Sequence, residues 1–275
     1  MTDEQIRTED RVQYTITDDG VADVRMVRAD KMNALDDAMF EALITVGKEI
    51  AANNEVRAVV ISGEGRAFCS GLDFSRFKSM KDGVQRLGDD RDPLGPAKVM
   101  AQQTPYVWTW LPVPVIAAVH GFAFGGGCQV AMGADIRIVH PETQMSLMEM
   151  KWGLVPDMTG TQMIAGLVRR DLAKELVYTG KVISGTEAAE IGLATRTSDN
   201  PYDDAMALAK EIASKSPHAV RRAKELMEMS GRVPLEEGFA AEQTAIRSLI
   251  GSPNQSEAVA ANLEKRAPKF QSYDG

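Results

Sequence analysis

Apolar and polar residues alternate from Val12 to Ile16, and the alternation resumes at Ala22, Val24 and Met26 beyond Asp18-Asp19-Gly20. A period of two on either side of turn chemistry predicts an antiparallel hairpin with one buried face. The period then lengthens: Leu35, Met39, Leu43, Val46 and Ile50 recur at helical spacing up to Asn53-Asn54, which predicts an amphipathic helix. Arg57 to Ile61 (RAVVI), closed by Ser62-Gly63-Glu64-Gly65, reads as a strand buried on both faces and followed by a tight loop. Val113 to Val119 reads as a second buried strand, Gly121 to Gly127 as a glycine-rich turn, and Cys128 to Gly133 as helical. Ile136 to Val139 and Met145 to Met148 read as further short strands. Residues 75–96 are polar and broken by Gly83, Gly88, Pro93, Gly95 and Pro96, which predicts a mobile, lid-like surface segment. Beyond Thr159 the pattern is almost wholly helical, with helix starts at Ser184-Gly185-Thr186-Glu187 and Ser216-Pro217.

Strand–helix alternation followed by helices alone is an α/β pattern. The length of 275 residues, with 44% hydrophobic and 25% charged residues, suits a folded chain with a sizeable core and excludes wholesale disorder. Lys and Arg number 31 against 39 Asp and Glu, a net charge of −8, which argues against a nucleic-acid partner. Cys69 and Cys128 lie far apart without a CxxC spacing, so neither a disulfide framework nor a zinc site is expected, and a reducing, cytoplasmic compartment fits. The start MTDEQIRTEDR lacks the basic and apolar regions of a secretory leader. The apolar stretch Leu111 to Val119 carries Pro112 and Pro114 and is about half the ~20 residues of a bilayer helix, so no membrane span is expected.

The sequence has no GxSxG, HExxH, P-loop or post-strand GxGxxG pattern, and His120, His140 and His218 are scattered without ligand spacing, so no metal site is expected. Two loops remain. His120-Gly121-Phe122-Ala123-Phe124-Gly125-Gly126-Gly127-Cys128 follows a buried strand and opens a helix. Its glycines serve either close packing and a tight turn or free backbone N–H groups that favour developing negative charge. Gly65-Arg66-Ala67-Phe68-Cys69-Ser70-Gly71-Leu72-Asp73 also follows a buried strand. Two such loops on one sheet could converge on a carbonyl oxygen as an oxyanion hole.

RADKMNAL (28–35), GRAFCSGLD (65–73), PVIAAVHGFAFGGGCQVAMGADIRI (114–138) and MEMKWGLVPDMTGTQ (148–162) together resemble the crotonase superfamily, the enoyl-CoA hydratase/isomerase family. The resemblance runs from about residue 10 to KRAPKF (265–270). It implies a crotonase-like ββα spiral over residues 1–200 that binds acyl-CoA, and a helical oligomerisation region over 201–275 that builds trimers or hexamers. It also implies an acyl-CoA thioester substrate, no separate cofactor, and an enolate held by the N–H groups of Leu72 and Gly126. The substrate-binding positions it implies are Arg28, Lys31, Ala34, Ala67, Ser70, Asp73 and Gly125, with Arg28 and Lys31 as donors to phosphate.

Hydratases of this family use two glutamates, and the first of those positions is Gln129 here, an amide that cannot accept a proton from water at neutral pH. The second is Glu149, and Asp157 stands where the family's dienoyl-CoA isomerases carry a carboxylate. The resemblance thus implies double-bond isomerisation, with Glu149 as acid and base and Asp157 as its partner. Hydration with Gln129 holding a water, and acyl-CoA binding without turnover, are the alternatives. Trp108, Trp110, Met148 and Met150 belong either to the core or to an acyl pocket.

Overall fold

The computed structural model describes residues 6–8, 10–76 and 91–274. Strands β1 (Ile6–Thr8), β2 (Val12–Ile16), β3 (Val21–Met26), β4 (Ala58–Gly63), β5 (Val115–Val119), β7 (Ile136–Val139) and β10 (Arg196–Thr197) form a seven-stranded sheet in the order β1-β2-β3-β4-β5-β7-β10. The predicted hairpin is β2–β3, paired antiparallel from Val12 opposite Met26 to Ile16 opposite Ala22, and from β3 onward neighbouring strands are parallel. Helix α1 (Asp37–Ala52) begins where Asp36 accepts a bond from the Met39 N–H at 2.9 Å, and it stops at Asn53.

The unbroken apolar runs of β4 and β5 follow from cover on both faces. Val59, Ile61, Ala117 and Val119 point to one side and pack with Met39, Leu43, Val46 and Ile50 of α1 and with Val107 and Trp108 of α2 (Met100–Trp110). Val60, Ala58, Ile116 and Ala118 point to the other side, against Ala205, Ala209 and Ala213 of α7 (Pro201–Ala213). The small residues on α7 bring that helix close to the sheet. Trp108 is fully buried in the core, whereas Trp110 is exposed.

The expected glycine-rich turn over 121–127 holds a strand of its own. There β6 (Phe122–Phe124) pairs in parallel with β8 (Gln144–Ser146), which pairs with β9 (Ile183–Ser184) to make a second, three-stranded sheet. Glycines flank β6 on both sides, so its three residues are too few to show a period. The strand expected over Met145–Met148 ends at Ser146, and Met148–Trp152 forms a 3₁₀ turn. Of the segment expected to be a lid, residues 77–90 lie outside the described residues; Leu94 and Ala97 beyond it exchange backbone bonds of 2.9 and 3.0 Å and are buried.

Helices α3 (Gly126–Met132), α4 (Gly160–Leu167), α5 (Arg170–Thr179), α6 (Gly185–Glu190), α7, α8 (Pro217–Met229), α9 (Leu235–Leu249) and α10 (Pro253–Glu264) complete the chain. The two predicted starts are real caps: Ser184 and Glu187 form a capping box, and Ser216 accepts from the Ala219 N–H. Among the described residues, no helix is long and apolar enough to cross a membrane. Helix α8 is pinned by Lys224, whose buried Nζ donates to Asp135 Oδ2 at 2.8 Å and to the carbonyl of Val113 at 2.9 Å, just ahead of β5. Removing the cation leaves Asp135 without the ammonium bonded to it, so Lys224→Met is expected to lower stability by about 3 kcal/mol, read as a lower urea midpoint at fixed protein concentration.

Candidate active site

The loops leaving β4 and β5 lie backbone against backbone. Phe68 N–H donates to His120 O at 2.9 Å, Cys69 N–H to Phe122 O at 3.0 Å, and Phe124 N–H returns to Cys69 O at 3.1 Å. No Cβ fits at the crossing: one added to Gly127 would stand 2.4 Å from Cys69 O, and one on Gly71 would stand 2.6 Å from Phe124 O. Close packing is therefore one job of these glycines. Free donors are the other. The bridge between Leu35 and Leu72 uses the Gly71 carbonyl (2.8 Å) and the Asp73 N–H (3.0 Å), which turns the N–H of Leu72 away from Leu35. Gly126 is the first residue of α3, where helix geometry supplies no acceptor for an N–H. Among the described residues, neither N–H has an acceptor. Leu72 and Gly126 both line one cavity of about 950 Å³, as do Gly125, Glu149 and Asp157.

Glu149 sits on the 3₁₀ turn after β8. Its Oε1 accepts from Gln129 Nε2 at 2.6 Å, while its Oε2 is buried without a hydrogen-bond partner. Gln129 is fully buried on α3 and does not line the cavity; its own Oε1 accepts from the Gly160 N–H at 2.8 Å. Burial pushes the Glu149 carboxyl above the usual glutamate range; its own backbone N–H and, less strongly, the Gln129 bond pull it back in part, and the charge of Asp157 adds to the rise. Asp157 is exposed on the cavity wall but crowded by protein atoms, and that desolvation raises its carboxyl too, against the pull of its own backbone N–H and of Arg76.

Of the remaining predicted positions, Arg28, Lys31, Ala34, Ser70 and Asp73 line the same cavity. Ala67 does not: it is fully buried, and its carbonyl accepts from Asn33 Nδ2 at 2.9 Å. The Arg28 guanidinium donates to Asp73 at 2.7 Å and stands 3.3 Å from Asp36, so its charge is already engaged. Against the upward push of burial, bonds from Ser75 and Arg28 hold Asp73 down to about 2. None of the three histidines lines the cavity; His120 Nε2 lies 2.9 Å from Gly65 O and supports the first loop.

Sequence reasoning missed two groups. Asn33 is buried at φ +54° and its amide also bonds Glu64 O at 3.0 Å, so it shapes the first loop; the run Met32-Asn33, both left-handed, carried only a faint turn signal. The apolar wall of the cavity includes Phe40, Phe74, Trp152, Val155 and Met158. The cluster Trp152-Gly153-Leu154-Val155-Pro156 next to Glu149 was its visible sign.

The profile of the enoyl-CoA hydratase/isomerase family matches residues 17–273. The chain is 33% identical over 263 residues to the mouse protein named enoyl-CoA hydratase domain-containing protein 2, mitochondrial, covering 91% of this chain and 84% of that one. It is 30% identical over 244 residues to the 2,3-dehydroadipyl-CoA hydratase of Escherichia coli, covering 87% and 90% of the two chains. Its fold is similar to the crystal structure of an enoyl-CoA hydratase from Bacillus anthracis, with a TM-score of 0.84 at 30% identity over 94% of this chain and 98% of that one.

A buried carboxylate with one bare oxygen costs stability wherever it is ionised. The folded state holds the Glu149 proton more tightly than the unfolded chain, so stability falls as pH rises from the ordinary glutamate range through the raised value, by about 1.4 kcal/mol for each pH unit between the two. Glu149→Gln removes this loss. Its melting temperature is expected to exceed the parent's at pH 7 and to converge with it at pH 3, as measured by calorimetry across that range.

Proposed function

The chain belongs to the enoyl-CoA hydratase/isomerase family, and from that premise we propose that it moves a carbon–carbon double bond along an acyl-CoA thioester, with Glu149 as acid and base. The Glu149 carboxylate, which lines the cavity, takes a proton from C2 of a 3-enoyl thioester. The C–H electron pair becomes the C1–C2 double bond of an enolate, and the carbonyl π pair moves to oxygen, where the Leu72 and Gly126 N–H groups accept the charge. On collapse the carbonyl re-forms, the C1–C2 pair becomes part of a C2–C3 double bond, and the former C3–C4 pair takes a proton at C4 from Glu149. Substrate and product are isomers, and neither water nor a redox partner enters the balance. Asp157, the second raised carboxyl facing the cavity, serves as the alternative donor for a longer, dienoyl substrate.

The observation that carries this reading is the disposition of the carboxyl and amide groups: Glu149 offers one unpartnered buried oxygen, and Gln129 has its carbonyl engaged by Gly160. A water-holding role for Gln129 finds no support in its position, since the side chain is fully buried and does not line the cavity. Hydration is the second reading, favoured by the hydratase names of the relatives. The apolar wall of Phe74, Trp152 and Val155 supports an apolar acyl chain as the group bound, the thioester's CoA being part of the substrate. Exposed Met227, Leu235, Phe239, Ile250 and Leu263 on and beside α8–α10 support assembly into a trimer or hexamer through the 201–275 region. Both cysteines are buried free thiols that burial pushes up to about 12, which suits a reducing cytoplasm.

Incubation with trans-3-enoyl-CoA is expected to give a product of unchanged mass with the ultraviolet band of a conjugated enoyl thioester. Glu149→Gln is expected to lower that rate by at least ~10²-fold with acyl-CoA binding nearly intact. A product one water heavier, formed from trans-2-enoyl-CoA at a comparable rate, would establish the hydratase instead.

A further inference from the structure

Gln129 is a fully buried amide whose two ends meet different partners. Its Nε2 donates to Glu149 Oε1 at 2.6 Å, and its Oε1 accepts from the Gly160 N–H at 2.8 Å. Gly160 opens α4, and the residue before it, Thr159, sits at φ +67° without capping that helix; the Thr159 hydroxyl is buried and unpartnered. Gln129, 31 residues away in sequence, supplies the cap that Thr159 does not. The glycine is required: a Cβ at 160 would stand 2.5 Å from Gln129 Oε1.

We propose that Gln129 is a positioning residue that ties one oxygen of Glu149 to the start of α4, which fixes the carboxyl beside the cavity and favours its ionised form. The inference rests on Glu149 being the acid–base group of the reaction. Both bonds demand a side chain that donates at one end and accepts at the other, and at this size only an amide does so without titrating. A glutamate at 129 meets both demands only while it carries a proton. A methionine meets neither.

Burial raises the Glu149 carboxyl, and its own backbone N–H and the Gln129 bond lower it; the Gln129 bond is the one that a side-chain substitution removes. Asp157 faces Glu149 across the cavity, and its charge opposes ionisation. Cys128, beside Gln129 on α3, is a thiol pushed up to about 12 chiefly by burial, and so is neutral. Lys151 on the same turn, and Asp171, Lys174 and Glu175 on α5, which packs against that turn, are exposed to solvent screening.

The test follows the Glu149 carboxyl directly, by carbon-13 NMR of protein labelled at glutamate carboxyls, with the signal assigned by its loss in Glu149→Gln. Gln129→Met is expected to move the titration of Glu149 to higher pH and to lower kcat ~10-fold or more with KM little changed. Gln129→Glu retains both bonds while one proton is shared between the two carboxyls. It is expected to keep activity at low pH and to lose it as that proton leaves, which adds an upper limb to a pH profile that in the parent has only a lower one. Titration of Glu149 at the parent's pH in Gln129→Met, or a Gln129→Glu profile without the added limb, would overturn the proposal. A shifted titration in a protein that turns over no 3-enoyl thioester would support the positioning role and count against the reaction instead.

Discussion

Two loops leave the ends of neighbouring parallel strands, β4 and β5, and cross with their backbones in contact, Cys69 bonded to Phe122 and Phe124. Contact this close is possible only without side chains at Gly71 and Gly127. It brings the N–H of Leu72 and the N–H of Gly126 to one cavity and leaves both without acceptors, because one belongs to a bridge that uses its neighbours' groups and the other to the first turn of a helix. Donors fixed in this way need no reorganisation when charge appears on an oxygen between them. The two-layer cover of β4 and β5 and the α1 and α7 packing hold the loop origins in place.

Glu149 is held on the same frame but in the opposite sense. Where the loops leave donors without acceptors, Glu149 is an acceptor with one oxygen unserved, and burial raises its carboxyl. Leu72, Gly126 and Glu149 line one cavity, and unsatisfied groups of both kinds lower the stability of the fold that holds them there. Charges elsewhere are paired: buried Lys224 meets Asp135, and Arg28 serves Asp73 and Asp36 as well as lining the site.

Much of this was legible in the residue pattern. The β2–β3 hairpin, α1, β4, β5 and the Ser184 and Ser216 caps each declare themselves within a few neighbouring residues, and the structure has them where the pattern places them. The motifs also pointed to Leu72, Gly126, Glu149 and Asp157, which the fold brings to one cavity. Of the second sheet only β8 showed in the pattern, as the strand expected over Met145–Met148; β6 and β9 are two or three residues each and owe their existence to partners far along the chain. Gln129 was legible as a departure from paired glutamates but not as a cap, since its partners lie 20 and 31 residues away and no local pattern links them. Ala67 was expected among the substrate-binding positions; it is fully buried and does not line the cavity, and its carbonyl accepts from Asn33.

The central claim is that this cavity forms an enolate with Glu149 as the base. Deuterium uptake at C2 of a saturated acyl-CoA in heavy water isolates that step, since such a thioester has no double bond to move or hydrate. The account predicts uptake catalysed by the parent protein and reduced by at least ~10²-fold in Glu149→Gln. No uptake with the parent, or equal uptake with both proteins, would contradict it.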